Sequence, residues 1–240
     1  MPNWCATNWA LIGPEKEVGG FVNTVNGLRG RESVAPNGFG PLWLGNLGAA
    51  YGLSYCDRTF NMRGTVDPDP WAEATLAGPD SNTEDPFEMF PVGDGVFCVR
   101  FSTVSAWGVP MWLFAVVHKR YPSCRLEYRA TDEFGNFHVR SKGWKWDVYE
   151  VGGTAFDCYE SYDEGDEASF LEHLNRAGFC FEKDSLPRLA GWEDVVCGAV
   201  GEYNKKNRGN DICLSVFKVA EEKEICDEIS KALNLLEVLS

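Results

Sequence analysis

The chain predicts an α+β protein, and three observations carry that class. Over residues 4–130, apolar segments of strand composition alternate with amphipathic helical segments in the order strand, helix, strand, strand, helix, strand, the split β-α-β plan. The second half places strands first and helices after them, the order of an antiparallel sheet covered by helices on one face. The 240 residues, 44% hydrophobic and 24% charged, have a globular balance that excludes a largely disordered, collagenous or coiled-coil chain. The expected domains are 1–132, with an acidic, proline-rich insertion at 67–91, and 133–240, an acidic α+β domain packed on the first.

The first strand is expected over residues 4–12, rich in aromatic and aliphatic side chains and closed by Gly13-Pro14. Pro14 suits a first helical position, Glu15 and Glu17 favour the positive end of the helix dipole, and Val18, Phe21, Val22 and Val25 form one apolar stripe ending near Gly27. Pro36, Gly38 and Gly40 mark a loop, residues 42–52 have apolar side chains at helical spacing, and 58–66 reads as a strand. Residues 67–91 then hold five prolines and seven acids with no Lys or Arg, a composition expected to form a long loop or flap.

Residues 96–101 read as a strand and 107–121 as a buried helix, apolar nearly all round, whose end carries His118, Lys119 and Arg120 where cations complement the dipole. A strand is expected at 125–130, a turn at Phe134-Gly135-Asn136, and further strands at 137–149 and 154–159. Helices follow at 166–176 and 192–207, a strand at 211–219, and a closing helix with Ile225, Ile229, Ala232, Leu233 and Leu236 on one stripe. No repeat of 20–50 residues is visible.

Charge constrains partners. With 22 Lys plus Arg against 36 Asp plus Glu, the net charge is −14, which argues against a nucleic acid as direct ligand and against an anionic membrane surface. The acid is uneven: residues 1–132 hold 10 basic and 14 acidic side chains, residues 133–240 hold 12 and 22. The longest apolar run, 107–117, contains Pro110 and is too short to cross a bilayer, and the N-terminus has no basic region or cleavage site of a signal peptide. Nine widely spaced cysteines, none in a C-x-x-C pair, point to reduced thiols in a cytoplasm.

Met1-Pro2-Asn3-Trp4-Cys5, the apolar strand after it and Gly13-Pro14-Glu15 resemble the opening of the YubB-type proteins, a family from plasmids, phages and gut bacteria with no established activity. Leu42-Trp43-Leu44-Gly45-Asn46-Leu47, the stretch Cys98-Val99-Arg100-Phe101-Ser102-Thr103-Val104-Ser105-Ala106-Trp107, and Tyr121-Pro122 with the strand beyond it are similar to later blocks of that family. The resemblance covers about the first 135 residues. Departures from the family pattern are Gly108-Val109-Pro110, where members often have Ser-Pro, and Asp132-Glu133-Phe134-Gly135, where they have a glycine-rich segment. The resemblance implies a ferredoxin-like domain and a bacterial or mobile-element origin. It carries over no catalytic residue.

The residues name no catalytic group. His118 and His173 have ordinary helical settings and His138 lies in an expected strand, with no local Cys-His or Ser-His signature. Acids at 67, 69, 84, 85 and 88, and Asp163, Glu164, Asp166 and Glu167, lack the EF-hand pattern, and Gly38-Phe39-Gly40 and Gly152-Gly153 lack that of a phosphate loop. No metal and no cofactor is therefore expected. Candidate binding residues are Trp4, Trp107, Trp144 and Trp146, with the acids Asp163, Glu164, Asp166 and Glu167; Trp144 and Trp146 would share one face of a strand, where sugars or bases can stack. The leading expectation is a non-enzymatic cytoplasmic protein that binds a protein partner, in one version by acidic mimicry of a nucleic acid. An enzyme whose acidic flap closes over a cleft near Trp107, and a carbohydrate or small-ligand binder using Trp144 and Trp146, are the alternatives.

Overall fold

The computed structural model describes residues 3–31, 40–54, 62–69, 85–133, 137–156, 159–181 and 191–220, together with Asp227, Ser230 and Asn234. The chain divides into two units, Met1–Gly143 with Val219–Ser240, and Trp144–Lys218. The fold is mixed α/β with antiparallel sheets.

In the first unit, strand β1 (Trp4–Pro14) runs between two partners and is buried at all but its last position. Its continuous apolar run, rather than an alternating one, follows from having both faces covered. Helix α1 (Glu15–Asn26) begins directly after Pro14 and turns Val18, Phe21 and Val25 into the core. A short helix α2 (Leu44–Ala50) precedes β2 (Gly64–Asp67), and β3 (Met89–Gly93) forms a hairpin with β4 (Val96–Ala106). Helix α3 (Trp112–Arg120) then leads into β5 (Arg125–Asp132) and β6 (His138–Arg140).

Within residues 1–143 the strand order is β6-β5-β1-β4-β2, with β3 also paired to β4. Trp9 lies opposite Phe101 on β4 and Tyr128 on β5, and its ring is 6.2 Å and 5.5 Å from theirs. Phe21 of α1 packs on Phe101 at 5.1 Å, joining helix to sheet. Because β6 continues the sheet beyond β5, the first stretch of this unit runs past the boundary expected after residue 132 to Gly143, and Val219–Ser240 belongs to the same unit.

Several elements differ from the sequence expectation, each for a physical reason. Strand β4 runs five residues beyond 101, since its polar side chains have partners inside: Ser102 Oγ donates to Asp69 O at 2.6 Å and Ser105 Oγ to Gly108 O at 2.7 Å. The helix expected from Trp107 starts at Trp112, because Trp107 takes φ +70° and Pro110 disfavours helical backbone before it. The loop expected over 67–91 is bounded by structure: Asp67 closes β2 and Met89 opens β3, where Pro91 is tolerated on an edge strand. Residues 70–84 of that insertion lie outside the described residues.

In the second unit, β7 (Tyr149–Gly152) is the centre of a three-stranded sheet between β8 (Glu160–Tyr162) and β9 (Cys213–Val216). Helices α4 (Glu167–Arg176) and α5 (Trp192–Lys206) contribute Phe170, Leu171, Leu174, Val196 and Val200 to a core shared with Tyr149, Val151 and Val216. The expected strand 137–149 is two short strands separated by a turn and a bend, where Asp147 adopts φ +44°. Of the strand expected at 154–159, residues 154–156 form a turn and a bend, where Thr154 Oγ1 accepts from Asp211 N at 2.7 Å, and residues 157–158 lie outside the described residues. The turn expected at 134–136 and the apolar stripe of the closing helix lie outside the described residues; Asp227, Ser230 and Asn234 are helical and exposed.

Candidate functional site

The acidic candidates sit where β8 turns into α4. Gly165, at φ +107° with open space beside it, reverses the chain there, and Asp163, Glu164 and Asp166 are exposed around it. Their placement is partly internal bonding. Asp163 Oδ1 accepts from Asp147 N at 2.8 Å, and Asp147 Oδ1 accepts from Ser161 Oγ at 2.5 Å. Glu167 Oε1 accepts from Gly165 N at 3.0 Å and from the Tyr149 hydroxyl at 3.4 Å, which tethers the first turn of α4 to β7. Lys145 Nζ is 3.8 Å from Glu164 Oε2. The positive end of the α4 dipole favours acids in this position, so the turn concentrates negative charge at little local cost. Among the described residues, no group of three His, Cys, Asp or Glu side chains could hold a metal ion.

The tryptophans separate. Trp144 is 0% exposed, donates its indole N–H to Trp146 O at 2.6 Å, and meets the Trp146 ring edge to face at 5.3 Å. The two lie in a non-strand segment, so they do not form the flat pair on one strand face that the sequence suggests; Trp146 is half-buried. Trp4 is buried against Val104 and Ala106, with the Arg63 guanidinium 6.0 Å over its ring. Trp107 is 51% exposed, and its amide donates to Asn3 O at 2.7 Å. The pairing of Trp4 with Ala106 places Trp107 beside the start of β1, while Trp4 itself points inward.

Two arrangements have no signal in the sequence. In the second unit, His173 is 1% exposed, with Nδ1 2.8 Å from the Tyr162 hydroxyl and 3.1 Å from Glu160 Oε2. Phe156 packs against the imidazole at 4.4 Å and Arg176 reaches Glu160 at 3.9 Å. The cluster pins α4 to β8. In the first unit, Tyr51 and Tyr121 bring their hydroxyls to 3.2 Å at a cavity of about 710 Å³. These residues come from the ends of α2 and α3, 70 positions apart, a distance that no local motif spans.

Burial raises the thiols of Cys5, Cys98, Cys124 and Cys197 and so holds these four protonated. Cys5 is pushed up to about 12 by desolvation, which Asp132 reinforces and the Thr7 hydroxyl opposes. Cys124 is pushed up to about 12 by desolvation and the carboxylate of Glu17. Cys98 and Cys197 are raised for the same first reason, burial. A protonated thiol is a poor nucleophile and a poor metal ligand. Comparison of the chain with known proteins found no matching family model, no matching curated protein and no matching solved structure.

Proposed function

We propose that the chain is a non-enzymatic binding protein of the bacterial cytoplasm or of a mobile element, which presents the acidic surface of its second unit to a basic protein partner. The observation that carries this reading is the turn at residues 163–167, where three exposed carboxylates stand together on a unit already rich in acid. Trp144–Lys218 holds 15 Asp plus Glu and 8 Lys plus Arg, a net charge of −7. Such a field steers a cationic partner and can occupy a surface that otherwise meets phosphates.

The first unit, in this proposal, is a ferredoxin-like domain of the YubB type. Support comes from its strand order: β5, β1, β4 and β2 are the fourth, first, third and second strands of a split β-α-β plan, antiparallel throughout. Helices α1 and α3 fall at the two crossover positions of that plan. Trp4 and Cys5 of the opening motif are buried at the start of β1, which gives those residues a packing role.

The test uses the full chain as bait for bacterial DNA-binding proteins, with capture measured at graded salt. Capture should fall by more than about tenfold between 50 and 200 mM salt, as screened charge pairs do, and should be lost in Asp163→Lys/Glu164→Lys/Asp166→Lys. Capture that is indifferent to salt, or unchanged in the triple variant, overturns the reading.

A further inference from the structure

The cavity of the first unit is lined from three elements: Gly20 and Thr24 of α1, Tyr51 and Gly52 after α2, and the Lys119–Tyr121 end of α3. We propose that it binds a small phosphomonoester, with the phosphate held by Lys119, Arg120 and the paired tyrosine hydroxyls.

Charge is the first argument. Lys119 and Arg120 are adjacent, exposed and on the cavity wall, and among the described residues no carboxylate forms an ion pair with either. The two cations complement the C-terminal dipole of α3, and their adjacent charges also match a dianion better than a monocarboxylate, which carries only one negative charge. Arginine adds a planar fork that suits phosphate oxygens, and lysine adds a point charge.

Hydrogen-bond capacity is the second. Thr24 Oγ1 donates to Gly20 O at 2.9 Å, so its proton is committed within α1. The Tyr51 and Tyr121 hydroxyls, 3.2 Å apart, share one proton between them. The Thr24 hydroxyl is a second partner of Tyr51, so the other phenolic proton exchanges that contact for a phosphate oxygen when a ligand enters the cavity. Burial and the hydrogen bond with Tyr121 raise Tyr51 well above the ordinary tyrosine range, opposed by the Thr24 hydroxyl and Arg120, so Tyr51 keeps its proton at neutral pH.

Shape is the third. The volume of about 710 Å³ falls within the roughly 300–1,000 Å³ of small-ligand pockets. Leu53 and Val116 supply apolar wall for an organic body beside the charged rim. Gly52, at φ +82°, has no atom within 4 Å of where a Cβ would stand, and a Cβ on Gly20 would lie 3.3 Å from Tyr121 Cε1. The two glycines thus keep the floor open and let the Tyr121 ring sit close to α1.

The probe is phenyl phosphate, titrated into the full chain at low salt and followed by phosphorus NMR and calorimetry, with benzoate and inorganic phosphate as comparators. Saturable binding at one site is expected, weaker for inorganic phosphate and weakest for benzoate. The double variant Lys119→Ala/Arg120→Ala, altered only at exposed positions, should weaken phenyl phosphate at least about tenfold. Tyr51→Phe keeps the ring and should weaken it several-fold without lowering the thermal midpoint by more than a few degrees. Absence of saturation, an unchanged affinity in the double variant, or benzoate binding as tightly as phenyl phosphate overturns the proposal.

Discussion

Trp9 on β1 donates its indole N–H to Thr103 Oγ1 on β4 at 2.9 Å, and both residues are wholly buried. The bond lets the central strand carry the largest side chain of the core without leaving its one polar atom unpaired, while the ring meets Phe101, Phe114 and Tyr128. A buried donor stripped of its acceptor costs about 1–3 kcal/mol, so Thr103→Val should destabilise the protein by that amount. Thr103→Ser keeps the acceptor and should cost less. Urea unfolding of both variants checks the ordering, and equal losses would assign the effect to packing alone.

Two glycines should respond to alanine in opposite directions. Gly64 opens β2 at φ +152°, and a Cβ there would run into the backbone carbonyl of Val104 on β4. Backbone cannot swing aside, so Gly64→Ala should cost about 2 kcal/mol or more. Gly27 caps α1 in ordinary right-handed helical backbone with nothing within 4 Å. Gly27→Ala should raise stability by about 0.4–1 kcal/mol through the lower entropy of the unfolded chain. Thermal midpoints of the two variants should move apart.

Alkaline pH should weaken the fold through Cys5. Its thiol ionises near 9 when unfolded and near 12 when folded, because burial opposes the thiolate. The folded state therefore holds the proton longer, and this contribution to stability is complete below about pH 9 and lost progressively from there toward pH 12. Cys5→Ala should flatten the decline of unfolding free energy between pH 8.5 and 10.5. An unchanged slope would place the titration elsewhere.

Iodide quenching should distinguish the tryptophans. Trp107 is 51% exposed, whereas Trp9, Trp43, Trp112 and Trp144 are at 0 or 1%. Trp107→Phe should remove a large share of the quenchable emission, and Trp144→Phe should leave it nearly intact. The reverse result would put Trp144 at the surface.

The imidazole cluster predicts a local effect. His173→Ala removes a ring packed on Phe156 and leaves the Tyr162 hydroxyl and Glu160 without that partner, a loss of about 2–4 kcal/mol. Hydrogen exchange should rise first in α4 and β8.

Long periodic elements were legible because their own residues specify them. Val18, Phe21 and Val25 repeat at helical spacing and become the buried stripe of α1, and the apolar run of residues 4–12 becomes β1. The start of α3, by contrast, depends on the backbone of Trp107 and the restriction imposed by Pro110, which apolar content conceals. The acidic turn was visible as composition, but its internal bonds from Asp147 and Tyr149 were not.

By itself the sequence determined an acidic α+β protein, the position of its main helices and strands, and the crowding of carboxylates at 163–167, since local spacing and charge are properties of the chain alone. Only the tertiary structure decided which tryptophans face inward, where His173 finds its partners, and that Tyr51 meets Tyr121 beside Lys119 and Arg120. Those relationships are set by packing between elements distant in sequence, and side-chain burial and proximity of that kind have no expression in a local pattern.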